Sequence, residues 1–484
     1  MQVEKLFENI PVKKIFGTAG AGKTTYLIKE CENLFKDGVE PERIAFVSFT
    51  NKAVDEMVER MIAKFPKFEK DQFKNFKTIH AMSFSFSANR NVMQQKDLFA
   101  VAAEMGLDIS MYQSAEEGGG TKQGDRVITI ESLSRLRMVS LEEQWRQCNF
   151  EDCPLFMVKD WQKRLNAYKA EHKMIDFTDM LEKYVGGAID VDYFFIDEAQ
   201  DLCALQWSVL NEMTKNCQQI FIAGDDDQAI YNWAGADVDF ILNIPRKDEV
   251  VLAISHRLPK NVYDLSRVIL KKIKNRKPKE AKPTKENGEI KFINSFDALD
   301  FDEKQEYLIL VRNRYQLKSV KERIEKFGLP YFLLNKKSTD CDEVKAIISW
   351  EQFRKGKEIS YREFENIKNF STVLKKFSRD NVPKEHKVEW FKIMNLMKYD
   401  KAAYFRVLLE KGYKFGDDPK IKLSTIHQSK GGECDNVVLI TDVSYTTWRT
   451  INSDDEHRVW YVAVSRAKKN LTIVREQSNI FYKI

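Results

Sequence analysis

The sequence predicts an α/β protein built from two parallel-sheet cores, each carrying a mainly helical insertion. Three observations predict it. Short apolar strands alternate with amphipathic helices from residue 12 to about 80, and strand signals return at 193–196, 219–223 and 250–254, a pattern that argues a parallel sheet with helices on its faces. Between them, from about 89 to 173, the strand signal thins and the spacing is helical. A second strand–helix pattern then begins at 307–311, 317–327 and 331–334. It yields to charged helical sequence over 342–412 and resumes at 421–425, 436–441 and 471–474. The expected division is a first core of residues 1–90 and 176–254 with its insertion 91–175, and a second core of 255–353 and 416–484 with a short insertion 354–415.

The chain has 484 residues, long enough for two or more domains with substantial cores. With 43% hydrophobic and 31% charged residues, fibrous and disordered classes are excluded. No apolar run approaches the roughly 18 residues of a membrane span, so no membrane partner is expected. The start, Met1-Gln2-Val3-Glu4-Lys5, lacks a basic-then-apolar signal peptide. Seven cysteines without a regular framework suit a reducing cytoplasm. Cys148 and Cys153 are the nearest pair, with no second pair at ligand spacing, so a metal centre is not expected there. A net charge of +5 is compatible with nucleic acid without establishing it. The basic stretch 271–285, with Lys271, Lys272, Lys274, Arg276, Lys277, Lys279 and Lys282, reads as a linker or solvated surface, with phosphate contact as the alternative. Glu117-Gly118-Gly119-Gly120 reads as a loop inside the first insertion.

Chemistry enters at Gly17-Thr18-Ala19-Gly20-Ala21-Gly22-Lys23-Thr24, which fits the G-x-x-x-x-G-K-[ST] phosphate loop at every constrained position. An apolar strand leads in and a helix beginning near Thr25 leads out. Gly17, Gly20 and Gly22 let backbone N–H groups, Ala21 among them, converge on phosphate oxygens at a helix N-terminus. Lys23 is placed to reach the β- and γ-phosphates, and Thr24 to hold Mg²⁺. The loop calls for a nucleoside triphosphate.

A second station follows the apolar run Tyr193-Phe194-Phe195-Ile196. At the carboxyl end of a parallel strand, Asp197 can meet Mg²⁺ beside Thr24, and Glu198 can orient and deprotonate the attacking water. A third apolar run, 220–223, ends in Gly224-Asp225-Asp226-Asp227-Gln228, where Gln228 could sense a γ-phosphate. Tyr231 and Trp233 follow closely. Their spacing fits base stacking and core packing equally well.

Taken in order, these stretches resemble the UvrD/Rep-type superfamily 1 (superfamily 1A) DNA helicases, from the phosphate loop nearly to the last residues. The matching stretches are 17–25, Phe49-Thr50-Asn51-Lys52-Ala53, Thr78-Ile79-His80, Asp176-Phe177-Thr178-Asp179, 196–201, 224–235, His256-Arg257, 307–314, 423–434 and 461–467. The resemblance implies two RecA-like cores, ATP with Mg²⁺, and single-stranded DNA and strand junctions as partners, in a replication or repair setting. Arg257 and Arg466 match the two arginine fingers, Glu433 the ribose contact, and His256 the position that stacks on the base. Phe49, Thr50, Asn51, His80, Tyr231, Trp233, Thr425 and His427 match single-strand contacts. Both fingers are expected in the second core, so hydrolysis would require the cores to close.

The chain departs from the family in three places. Family members usually carry an adenine-reading Gln upstream of the phosphate loop, where only Gln2 stands here. His256 occupies a position that is often Tyr. The second insertion is much shorter than in bacterial repair enzymes. The expected function is an ATP-dependent helicase that moves 3′→5′ on single-stranded DNA and unwinds duplex. Its rivals are a translocase that strips proteins and unwinds poorly, and a nucleotide-dependent switch. A small-molecule P-loop kinase leaves Arg257 and Arg466 without a role.

Overall fold

The computed structural model describes residues 3–48, 51–110, 122–148, 150–475 and 478–484. Phe49, Thr50, Gln2 and the Glu117–Gly120 stretch lie outside the described residues. The chain divides into two compact units. The first comprises residues 1–289 with 444–465 and 484, and the second 290–443 with 466–483.

The first unit holds six strands: β1 Val12–Gly17, β2 Ile44–Val47, β3 Phe76–Lys77, β4 Tyr193–Ile196, β5 Gln219–Gly224 and β6 Asp248–Leu252. They pair in the order β3-β2-β4-β5-β1-β6, and every pairing is parallel. The central strands β2, β4 and β5 are near-continuous apolar runs because both of their faces are covered. Phe16, Ala45, Phe194 and Ile222 point into one hydrophobic cluster with Trp207. Their neighbours Ile15, Phe46, Phe195 and Phe221 point into another with Leu27 and Met57. Lys14 shares the first face yet is buried. Its Nζ donates to the carbonyls of Ile241 (2.7 Å) and Leu242 (3.2 Å) at the end of the helix Val238–Asn243, where a cation is favoured.

Between β3 and β4 the chain makes a helical insertion. Backbone hydrogen bonds Met93 N to Ile175 O (2.9 Å) and Ile175 N to Asn91 O (3.0 Å) tie its two ends together. It has its own core around Val158, Trp161, Ile130 and Val127. Arg135 and Lys169 join it to the Asp176 and Asp179 carboxylates at 2.7–2.9 Å.

The second unit's sheet contains β7 Glu289–Ile293, β8 Tyr307–Val311, β9 Tyr331–Leu333, β10 Lys336–Lys337, β11 Ile421–Thr425, β12 Cys434–Ile440 and β13 Ala467–Val474. The order is β10-β9-β11-β8-β12-β13-β7. β10 runs antiparallel to β9, while β9, β11, β8, β12 and β13 are parallel neighbours. The helices between β10 and β11 do not form a separate core: Trp350, Phe364, Trp390 and Phe405 share one cluster with Ile309, Val311 and Leu423 of the sheet.

The structure corrects the expected division. Residues 255–289 and 444–465 belong to the first unit, not the second. The reason is local. β6 is an edge strand on β1, and the residues after it stay hydrogen-bonded to the phosphate loop. The helix Asp454–Val464 packs against the helix Lys260–Leu270. The basic stretch 271–285 is likewise no linker, because Lys279 is buried and ion-paired within this unit.

Candidate active site

In the first unit, the carboxyl ends of β4, β5 and β1 lie side by side, the usual place for a ligand in an open parallel sheet. The phosphate loop leaves β1. Gly20 and Gly22 have φ of +70° and +80°, conformations that disfavour a side chain. A Cβ on Gly20 would also come within 2.3 Å of the Arg257 Cβ. Gly22 is the N-cap of the helix Lys23–Lys36, so Thr24 and Thr25 lie in its first turn with the helix N–H groups. Lys23 is folded back on the loop, its Nζ donating to the Gly17 carbonyl at 3.1 Å and more weakly to Thr18. The buried Thr18 hydroxyl finds no hydrogen-bond partner among the described residues.

Thr24 Oγ1 donates to Asp197 Oδ2 at 2.7 Å, which brings together the two groups expected at Mg²⁺. Burial pushes the Asp197 carboxyl up to about 6, and the adjacent Glu198 charge adds to the effect, while Thr24 and Lys23 oppose it. The buried Asp197 carboxyl, beside the half-buried Thr24 hydroxyl and Glu198 carboxyl, offers oxygen ligands that fit a hard divalent ion. Glu198 sits at φ +53°, in the left-handed region, a conformation that costs on the order of 1–3 kcal/mol and is common at functional sites. Its Oε2 accepts from Gln200 Nε2 at 2.5 Å, and Gln200 Oε1 accepts from Asp225 N at 2.9 Å. Gln200, fully buried, thus stitches the end of β4 to the end of β5. Asp225 Oδ2 in turn accepts from Gln228 Nε2 at 2.6 Å.

Ser255, His256 and Arg257 lie on the same loop. Ser255 Oγ donates to Ala19 O (2.8 Å) and His256 N donates to Gly20 O (2.9 Å). The half-buried Arg257 therefore stands beside the phosphate loop, next to the Ser255 and His256 contacts, in the first unit and not the second. His256 is exposed. The Tyr461 hydroxyl accepts from Ala19 N at 3.2 Å. Sequence reasoning assigned no role to Gln200, Ser255 or Tyr461, although Gln200 and Tyr461 fall inside quoted motifs. Their polar type next to a catalytic residue was the available signal.

Of the single-strand candidates in this unit, Asn51 opens the helix Asn51–Lys64 and is exposed. His80 is held below its ordinary value by burial, and its ring meets the exposed Phe177 edge-on at 6.0 Å. Tyr231 and Trp233 are half-exposed and meet edge-on at 5.9 Å.

In the second unit, Arg466 is buried, and its guanidinium donates to the Gly432 carbonyl at 3.0 Å. Glu433 lies beside it on the rim of a cavity of about 520 Å³ that Ser424, Gln428 and Lys422 also line. Thr425 and His427 are both buried. Thr425 Oγ1 accepts from Gln428 N at 3.3 Å, shaping the turn after β11. Burial, with Arg312 and Lys430 nearby, keeps His427 well below its ordinary value. Gln428 of that turn is exposed.

Two family models match the chain: the UvrD/REP helicase N-terminal domain over residues 9–248 and the UvrD-like helicase C-terminal domain over residues 342–478. Among curated proteins, the chain is 23% identical over 381 residues to the ATP-dependent DNA helicase PcrA of Staphylococcus epidermidis, covering 69% of this chain and 51% of that protein. It is 24% identical over 378 residues to PcrA of Leuconostoc citreum, covering 66% and 47%. It is 27% identical over 322 residues to a protein of Mycoplasma capricolum named "Probable DNA helicase II homolog", covering 57% and 41%. The chain thus spans about half the length, or less, of these relatives. With a phosphate loop, a Thr24–Asp197 pair, Glu198 and Gln228 on adjacent strands of a RecA-like sheet, and both models matched in order, the chain belongs to the UvrD/Rep helicase family.

Proposed function

We propose that the protein is an ATP-driven motor that moves 3′→5′ on single-stranded DNA and unwinds duplex at junctions. The observation that carries the reading is the run from Gln228 to Trp233. The residue hydrogen-bonded into the candidate γ-phosphate site lies three and five positions before two half-exposed aromatic rings. A change at the phosphate end can therefore move a surface on which bases stack. In this reading Glu198 takes the proton of the attacking water, Gln228 orients the γ-phosphoryl, and Lys23 and Arg257 face its charge. Arg466 is the remaining cation that the reading makes hydrolysis depend on, and Glu433 its ribose contact. Thr24 and Asp197 would hold Mg²⁺, which when bound offsets the phosphate charge.

Support for the activity comes from relatives named as ATP-dependent DNA helicases. A replication or repair setting is part of the same proposal. Duplexes with 3′ or 5′ single-stranded tails test it, with Lys23→Ala as the control. Unwinding of 3′-tailed substrate alone supports the reading. Preference for the 5′ tail reverses the polarity, and robust activity of Lys23→Ala sinks the assignment of the phosphate loop.

One observation favours a second reading, a translocase that displaces bound proteins. The helices between β10 and β11 share the sheet's core instead of forming a body of their own. Streptavidin removal from a biotinylated single strand, faster than unwinding of a tailed duplex, would select it.

A further inference from the structure

The basic stretch that sequence reasoning assigned to solvent does something specific. Lys279 stands with no side-chain exposure among three consecutive carboxylates. Its Nζ is 3.1 Å from Asp225 and 3.0 Å from Asp227, and it pairs directly with Asp226. Arg276 adds two parallel hydrogen bonds to Asp227, Nε and a terminal nitrogen each at 2.7 Å. The Lys277 backbone N–H donates to Asp226 at 2.7 Å. Although Asp225, Asp226 and Asp227 could together face a metal ion, the ammonium of Lys279 already stands where their oxygens converge.

The strap is pinned from its other side. Asp454, on the helix Asp454–Val464, accepts the backbone N–H groups of Lys274 and Asn275 at 3.0 and 2.8 Å. Arg458 of the same helix donates to the carbonyls of Asp226 (3.0 Å) and Asn275 (2.5 Å). Three buried carboxylates are costly unless paired, and replacing such a cluster with apolar residues often stabilises a fold equally well. A role in stability alone therefore explains little of it. What the cluster adds is geometry. Asp225 holds the Gln228 amide, and the Asp225 backbone N–H is held by Gln200, whose own amide holds Glu198.

We infer that Arg276 and Lys279 are positioning residues for hydrolysis, clamping Asp225–Asp227 so that Gln228 and, through Gln200, Glu198 stand correctly at the γ-phosphate. The inference rests on the reading of this site as an ATP-hydrolysing one. Neither basic group touches the phosphates; each acts through the aspartates. Lys279→Met would strand three buried carboxylates and could unfold the unit, so Arg276, at the edge of the cluster, carries the test.

The full chain is assayed for steady-state ATP hydrolysis with saturating oligo(dT), for fluorescent-ATP binding and for thermal midpoint, as wild type, Arg276→Gln and Arg276→Lys. The expected result for Arg276→Gln is a fall in kcat of about tenfold or more, with KM and nucleotide Kd within about twofold and the midpoint little changed. Arg276→Lys, which keeps the charge but not the second parallel N–H, should recover part of the loss. Unchanged kcat in Arg276→Gln overturns the inference. So does a parallel loss of kcat, binding and midpoint that Lys does not relieve, which would mark a merely structural pair. A wild type that fails to turn over ATP overturns the underlying reading, and is told apart because that arm contains no substitution.

Discussion

The hydroxyl of Thr24 donates to Oδ2 of Asp197 at 2.7 Å, across 173 residues of sequence. One residue closes the phosphate loop and the other directly follows β4, so the contact fixes the loop to the sheet where a divalent ion would sit. Asp197→Asn keeps an acceptor for Thr24 but removes the charge. The Mg²⁺ concentration for half-maximal ATP hydrolysis should then rise about tenfold or more, with the thermal midpoint little changed. An unaltered Mg²⁺ dependence would remove Asp197 from the ion site.

Glu198→Gln separates proton transfer from placement. The substituted amide keeps an oxygen for Gln200 Nε2, now 2.5 Å from the carboxylate, so the link to Asp225 survives. Hydrolysis should slow by about 10²–10⁴-fold while nucleotide affinity holds. Single-turnover rates with separately measured affinity decide it. Weak binding with a normal rate per bound nucleotide would contradict the role of general base.

How far the sequence alone reached depends on the distance over which each feature is determined. The strands at 193–196 and 307–311 are legible because their apolar runs are continuous and buried on both faces, and 421–425 because Ile421, Leu423 and Thr425 alternate inward with Lys422 and Ser424. β3 and β10, two residues each, have too little pattern to stand out. Lys23, Thr24, Asp197 and Glu198 were legible because motif spacing encodes them locally. The basic strap was misread because the partners of Arg276 and Lys279 lie 49–54 residues upstream, at Asp225–Asp227, and charge composition says nothing of pairing at that range. Arg257 stands in the first unit, against the expectation from motif order, for a similar reason. Beside it, the Ser255 hydroxyl donates to the Ala19 carbonyl and the His256 backbone N–H to the Gly20 carbonyl, contacts that the sequence pattern does not announce. Thr425 and His427 have the residue types of a nucleic-acid contact, yet tertiary packing buries both.

Trp233→Ala tests the aromatic pair. The indole is half-exposed and meets Tyr231 edge-on, and loss of one stacking surface is worth about 1–3 kcal/mol per base. Affinity for oligo(dT) should fall about 5- to 150-fold, with DNA-independent ATP turnover retained. A change confined to the thermal midpoint would return Trp233 to a packing role.

Glu131 should make the stability of the first insertion depend on pH. It is buried beside Arg135, but that guanidinium already faces Asp176, Asp179 and Glu182 at 2.7–2.8 Å, against 3.5 Å to Glu131. Burial therefore dominates and pushes the Glu131 carboxyl up to about 7, with Arg135 opposing and Asp176 reinforcing. The folded-state value lies above the unfolded one, so the native state prefers the protonated form. That contribution is complete below about pH 4.5 and is lost as pH rises through 7. The full effect is on the order of 3 kcal/mol. Glu131→Gln, neutral at every pH, should melt higher than wild type above pH 7 and converge with it near pH 5. Its midpoint should vary less across that interval. Thermal melts of both proteins between pH 5 and 8 measure the difference, and parallel curves would show that Glu131 is ionised in the folded protein throughout.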